Sequence, residues 1–340
     1  MSNQATAWPQ DGQQFLSYKL LGVFNLGLRL VVGWTYFSAF WRRLILSNKL
    51  DPDAANYIGI KFNHFLPQAL GIGPIIEFLL EHPAYLWWAM LFFTLVEGVV
   101  GLFFMLGFFS RLMSLAVLGL ALGILLGSGW LGTTCLDEWQ IGILGVSAGA
   151  SIFMTGGGRY SLDHYALEHW GWSSYLSFWS SGPIRWERFQ KPVLWSSLLI
   201  LALALYTNQY FHSGLWGQLH NKSVKPKLAL SAPLFQADSL NFELYRIEGA
   251  DVYGSFLIQI ELLDEGGQVL KNWDQKALSS LPDQQIQNAY PAKIKAGAHS
   301  LVVPLGAKAR LSLPLSKRLA AKAKTLRLVD ISGLSWELSL

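Results

Sequence analysis

A membrane-embedded α-helical bundle followed by a small all-β domain is the fold class that this sequence predicts, and three observations predict it. The chain is 52% hydrophobic and only 14% charged, where soluble domains average about 25% charged. Its 15 Trp gather near the ends of long apolar runs, at Trp87, Trp88, Trp130, Trp139, Trp195 and Trp216, as in an interfacial aromatic belt. From about Lys222 onward the long runs give way to short alternating ones separated by turns, the pattern of a small β-sandwich.

A spanning helix needs about 20 mostly apolar residues. Five segments qualify or nearly do: 20–40, 86–109, 112–130, 139–155 and 193–211. The division that follows is a four-helix membrane domain with a long first loop (1–192), a fifth transmembrane helix (193–213) and an extracytoplasmic β domain (214–340). Gly119, Gly123 and Gly127 fall four apart on one helix face, as do Gly145 and Gly149. Small residues at that spacing let helices approach closely in lipid. They suit packing within one bundle, with a seam between two copies, and so a homo-oligomer, as the alternative.

The first loop, 45–85, mixes Leu66, Leu70, Ile72, Ile75, Ile76, Phe78 and Leu79 with Pro67, Gly71, Gly73 and Pro74. Interfacial or re-entrant helices are expected there. The Trp- and Tyr-rich stretch 161–190 is expected to lie flat on the membrane. Past the linker at 220–227, strands are expected at 241–247, 255–263, 268–273, 300–305, 310–313, 325–331 and 335–340. The turn Asp264-Glu265-Gly266-Gly267 closes a hairpin between two of them.

The polar N-terminus lacks the pattern of a removable signal peptide, so the first apolar run is expected to act as a retained insertion signal. Arg185, Arg188 and Lys191, just before the last span, favour an inside N-terminus and an outside C-terminus in a prokaryotic cytoplasmic (inner) membrane. The net charge of +4 is modest and no dense basic run precedes the tail, which argues against nucleic acid as a partner. Cys135 is the one cysteine, so neither an intrachain disulfide nor a thiolate metal cluster is expected. The histidines show no metal-ligand spacing, and no haem or flavin signature occurs. Redox chemistry would have to borrow a diffusible carrier or use the lone thiol.

Two charges sit inside apolar runs, Arg29 in the first and Glu97 in the second. A charge at that depth is costly and is usually paired or used. The expectation is an Arg29–Glu97 ion pair that either fixes helix register or forms the polar end of a quinone pocket. In that pocket Glu97 would move the proton that quinone reduction needs. A second group is Cys135, Asp137 and Glu138 between Trp130 and Trp139. It reads as a packed cysteine at a solvated helix start or as a place where substrate meets a thiol. Arg42 and Arg43 leave the first span on that same side, with Lys61 and His64 in the loop that follows, and they could form a cationic entrance for an anionic substrate. Gly156-Gly157-Gly158 has a span before it rather than a strand, and no Walker lysine follows, so it reads as a tight turn and not a nucleotide cradle.

Several of these residues fall in a familiar order: Arg29 with Gly33, then Glu97-Gly98 with Gly101, Leu106-Gly107 and Ser110-Arg111, then Gly157-Gly158-Arg159-Tyr160-Ser161-Leu162-Asp163. This set resembles the DoxX/DoxD membrane family. The long first loop and Cys135-Leu136-Asp137-Glu138-Trp139 resemble its DoxD branch. The fifth span plus β domain is similar in architecture to DoxA, so the chain looks like a DoxD–DoxA fusion. That resemblance implies a thiosulfate:quinone oxidoreductase, which couples two thiosulfates into tetrathionate and passes the electrons to a membrane quinone. Arg29, Glu97, Arg111, Arg159 and Asp163 are the positions shared with the family.

On this reading Glu97, Arg29 and Cys135 are the catalytic candidates, with a Cys135–thiosulfate adduct as one electron route. Arg42, Arg43, Lys61, His64, Asp137 and Glu138 are candidates for holding thiosulfate at the outer face. Trp34, Tyr36 and Phe103, with Glu97, would line a quinone pocket open to lipid, quinone being the electron acceptor. The competing reading is a non-enzymatic membrane scaffold or transport subunit whose β domain docks a periplasmic partner.

Overall fold

A computed structural model describes residues 19–340 apart from 55, 133–136, 171–173, 183–185, 237 and 253, and without the side chains of 137, 174 and 186–188. The chain forms two compact units, one drawn from 1–54, 89–125 and 139–210, the other from 55–88, 126–138 and 211–340.

The first unit is helical. Three helices are long and apolar enough to cross a membrane, counting described residues only: α4 (Pro83–Leu106), α5 (Ser110–Ser128) and the Phe189–His212 stretch of α9 (Trp186–His212). The other two expected spans are helical but differ in extent. The first apolar run is interrupted by a turn at Asn25, so residues 19–24 form a separate piece. The run continues as α1 (Leu26–Phe40) of 15 residues, followed directly by a π-helical turn, Trp41–Ile45. The fourth is α6 (Asp137–Thr155), whose first turn, Asp137-Glu138-Trp139-Gln140, is polar.

Helix contacts follow the small residues. A Cβ on Gly101 would lie 2.4 Å from Phe37 N and 2.7 Å from Gly33 O, so α1 and α4 touch backbone to backbone. On α6, Gly142, Gly145 and Gly149 face Leu125, Ala121 and the Ser114 carbonyl of α5. The other glycine row divides: among the described residues nothing lies within 4 Å of a Cβ built on Gly119 or Gly123, while one on Gly127 would meet Ile72 Cδ1 at 3.4 Å. The expected intrachain packing is therefore met at Gly127 and, among the described residues, not at Gly119 or Gly123. Tyr36, Val100, Phe104, Val117, Leu120 and Ile152, from α1, α4, α5 and α6, form the apolar centre. Two short helices, α7 (Leu162–His169) and α8 (Ser174–Trp179), follow α6.

The second unit contains two antiparallel sheets. One has the order β1-β2-β8-β5; the other runs β10-β9-β3-β7-β6, with β4 also paired to β3. The strands are β1 (Lys227–Gln236), β2 (Ser239–Glu248), β3 (Ser255–Leu263), β4 (Val269–Trp273), β5 (Ile286–Asn288), β6 (Lys295–Ala296), β7 (Leu301–Val303), β8 (Lys308–Pro314), β9 (Thr325–Asp330) and β10 (Ser335–Ser339). Alternate residues point inward, as strand periodicity requires: Leu240, Phe242 and Leu244 of β2 meet Leu257, Ile260 and Leu262 of β3 and Leu311 and Leu313 of β8 in one core. The seven expected strands are all present. β1, β5 and β6 were not expected; β1 contains Pro233, its register shifts between Ser231 and Leu234, and it lies at a sheet edge where proline is tolerated.

The first loop belongs to this unit. It folds as α2 (Gly59–Phe65), a 3₁₀ turn (Leu66–Gln68) and α3 (Gly73–Glu81). Ile60 packs against the β core. Asn63, fully buried, donates to Gly306 O (3.1 Å) and accepts from Ala292 N (3.2 Å). Tyr290 donates to Glu77 (3.0 Å) and Lys222 to Gln68 (3.0 Å). The loop therefore offers one face to the β domain, while Ile75 and Phe78 of α3 remain exposed, the apolar surface an interfacial element needs.

Candidate functional site

Glu97 lies on the inward face of α4 and is 4% exposed. A carboxylate there needs a partner, and the partner is Arg43. Its Nη1 donates to Glu97 Oε2 at 2.5 Å and to Thr94 Oγ1 at 3.1 Å. Thr94 precedes Glu97 by three residues, so both fall on one helix face, and Thr94 is wholly buried. Arg43 comes from the π-helical turn that ends the first helix; such turns widen the helix by one residue and recur at functional sites. Tyr36, 5% exposed, stands one α1 segment earlier within electrostatic reach of Glu97. A Cβ on Gly145 would lie 3.2 Å from the Tyr36 hydroxyl, so this glycine leaves room for the phenol.

Arg29 does not pair with Glu97, contrary to the sequence expectation. Because α1 begins at Leu26, Arg29 falls in its first turn, about 20 Å along the helix from Arg43. There Nη1 donates to Gly157 O (2.5 Å) and Nη2 to Tyr160 O (2.6 Å). Gly157 and its neighbours make the expected tight turn, with φ of +69° at Gly156 and +70° at Gly158. Gly107 closes the seat from the other side, since a Cβ there would lie 2.4 Å from Arg29 Nη1.

The other shared positions serve the same end of the helical unit. The Asp163 carboxylate accepts from Phe109 N (2.7 Å), Ser110 N (2.9 Å) and Ser181 Oγ (2.6 Å), which caps the start of α5 from another helix. Arg111 donates to Phe153 O, Phe178 O and Gly182 O, satisfying carbonyls near the ends of α6 and α8. Arg159 is exposed. Arg29, Arg111 and Asp163 thus join helix ends to turns.

The cationic candidates separate. Arg42 is exposed and its Nε donates to Ser38 O (3.2 Å). Lys61 and His64, one turn apart on α2, both face Asp251. Lys61 Nζ is 2.7 Å and His64 Nδ1 3.6 Å from Asp251 Oδ2. His64 and Lys61 beside it hold the Asp251 carboxyl well below the usual carboxylate range. Asp251 follows a loop shaped by Arg246, whose guanidinium donates to Glu248 O, Ala250 O and Val303 O.

Of the expected quinone contacts, Tyr36 is buried beside Glu97, Phe103 is half-buried edge-on to Phe108 (5.3 Å between ring centroids), and Trp34 is 56% exposed on the opposite side of α1. Glu138 is half-buried. Cys135 and the Asp137 side chain lie outside the described residues. Among those described, no group of three or more His, Cys, Asp or Glu could hold a metal ion.

Sequence reasoning missed Thr94, Asn63 and Asp251. Thr94 had a signal, its helical spacing from Glu97; Asn63 and Asp251 had none, because their partners are distant in the chain.

Residues 24–180 match the family model described as TQO small subunit DoxD, and residues 211–339 match the one described as TQO small subunit DoxA. No solved structure matches the chain.

Proposed function

From the premise that this chain belongs to the DoxD and DoxA families, joined in one polypeptide, we propose that it is a thiosulfate:quinone oxidoreductase of a prokaryotic cytoplasmic membrane, with its β domain outside the cytoplasm. The observation that carries this reading is the presence of both TQO small-subunit families in a single chain. In the proposed reaction two thiosulfate dianions join through their sulfane sulfurs, forming one S–S bond and releasing two electrons as tetrathionate leaves. A membrane quinone takes those electrons and two protons to become quinol.

The buried Arg43–Glu97 pair supports the quinone half of the reaction. Glu97 is a proton-carrying group on a helix long enough to span the membrane, and Arg43, itself bonded to Thr94, holds its carboxyl in place. Quinone dissolves in lipid and would approach from the hydrocarbon, where Tyr36 offers a phenol beside Glu97. Positioned acids and bases contribute about 10²–10⁴-fold to proton-transfer steps, so this pair is assigned the proton and Arg29 a positioning role. Cys135 is proposed as the point of thiosulfate attachment: its thiolate and the sulfane sulfur form an S–S bond as two electrons pass to the quinone, and a second thiosulfate displaces the thiolate as tetrathionate leaves; full turnover by Cys135→Ser would exclude that adduct.

The test is purified full-length protein with thiosulfate and a short-chain quinone, followed by quinone absorbance and tetrathionate formation. One tetrathionate per quinone reduced is expected. No thiosulfate-dependent reduction by folded protein would overturn the reading and leave a scaffold or transport role.

A further inference from the structure

We infer that Lys61 and His64 form a binding site for a divalent oxyanion, held in this structure by the side chain of Asp251 acting as an internal stand-in. Lys61 and His64 sit one turn apart on α2 and converge on a single oxygen, Asp251 Oδ2. That oxygen serves only one of them well. Lys61 is in hydrogen-bond contact at 2.7 Å, whereas His64 Nδ1 stands back at 3.6 Å and makes no hydrogen bond. His64 is 6% exposed, and a buried polar nitrogen without a hydrogen bond is uncommon enough to need an explanation. A tetrahedral dianion supplies several acceptor oxygens and a second negative charge. It can bond Lys61 and His64 together where one carboxylate oxygen cannot.

Three features make the exchange easy. The Lys61 and Asp251 side chains are 45% and 22% exposed, and ion pairs that water reaches hold their partners weakly. The Ala250 carbonyl is bound by Arg246, while the next residue after Asp251, Val252, is 75% exposed. The β domain does not depend on Asp251 to stay on α2, because Asn63 bonds Gly306 and Ala292 independently. Asp251 can therefore swing away while the surface that carries the site remains assembled. The site's existence does not require catalysis; its use as the entry point for thiosulfate rests on the oxidoreductase reading.

The experiment is calorimetric titration of the full chain with thiosulfate, comparing the unmodified protein with Asp251→Asn and Lys61→Gln. Removing the internal competitor should tighten binding about tenfold, the scale of one nearby charge acting on a dianion through water and salt. Lys61→Gln should weaken it by a similar factor. Thiosulfate should also accelerate hydrogen exchange at residues 250–252 of the unmodified protein while Ala292 N stays protected, a readout that needs no variant to fold. Equal or weaker binding by Asp251→Asn, or unchanged exchange at saturating thiosulfate, would overturn the site. Tighter binding without quinone reduction would keep the site and remove the enzyme. Turnover with KM unchanged in both variants would keep the enzyme and remove the site.

Discussion

Arg43 reaches across from the end of the first helix to Glu97 on α4 and closes a 2.5 Å hydrogen bond, using the same nitrogen to bond Thr94. The pair is nearly dry, with side-chain exposures of 18% and 5%. Removing one member of such a pair strands the other. Arg43→Met should therefore destabilise the protein by about 3–5 kcal/mol, read as a fall in melting temperature in detergent. Arg43→Met combined with Glu97→Gln should recover much of that loss. A double variant no more stable than Arg43→Met would show that the two side chains are not coupled.

Glu97→Gln alone keeps the shape and the hydrogen bond to Arg43 but cannot carry the proton. Quinone reduction should fall by about 10²–10⁴-fold, with the melting temperature lowered much less than by Arg43→Met. Unaltered turnover would remove Glu97 from the chemistry.

Gly107 combines a φ of +65° with contact against Arg29. Gly107→Ala should cost about 1–3 kcal/mol through backbone strain, plus whatever displacement of Arg29 adds. Unfolding should show this loss, while activity per folded molecule is retained. A large drop in specific activity at normal stability would give Arg29 a direct part in the reaction.

Asp251 is held below its ordinary range by His64 and Lys61, so its contribution is a carboxylate contribution. It is fully present above the unfolded value of about 3.9 and is lost as pH falls through the lower folded value. Hydrogen exchange at residues 250–252 should be flat from neutral pH to about pH 4 after correction for intrinsic rates, then rise on further acidification. Asp251→Asn should abolish the acid limb. The same rise in the Asn variant would assign it to another group.

The division between apolar helices and short strands was legible because each has its own period: the runs before residue 212 and the alternation after Lys222 point to different solvents. The burial of Glu97 was legible from the apolar residues on either side. Its partner was not. Arg29 looked central only because the apolar run begins at Leu20; the turn at Asn25 moves the helix start and leaves Arg29 at an end. Nothing in Trp41-Arg42-Arg43 announces the π-helical turn that separates an exposed Arg42 from a half-buried Arg43. β1 escaped notice because Pro233 and the bulge beside it break the alternation that marks other strands. The attachment of the first loop to the β domain was hidden for a different reason, since Lys61 and Asp251 are 190 residues apart and neither carries a local pattern.

The separation of Asn63 from Gly306, 243 residues along the chain, bears on how the protein matures. The ribosome delivers Asn63 long before the carbonyl it will bind exists. Until the last third of the polypeptide has emerged and folded, the amide of Asn63 must be satisfied by water or by a helper protein. A nascent chain cut short anywhere before Gly306 would expose that unfinished surface, and the cell's proteases would have a ready means of telling complete molecules from incomplete ones.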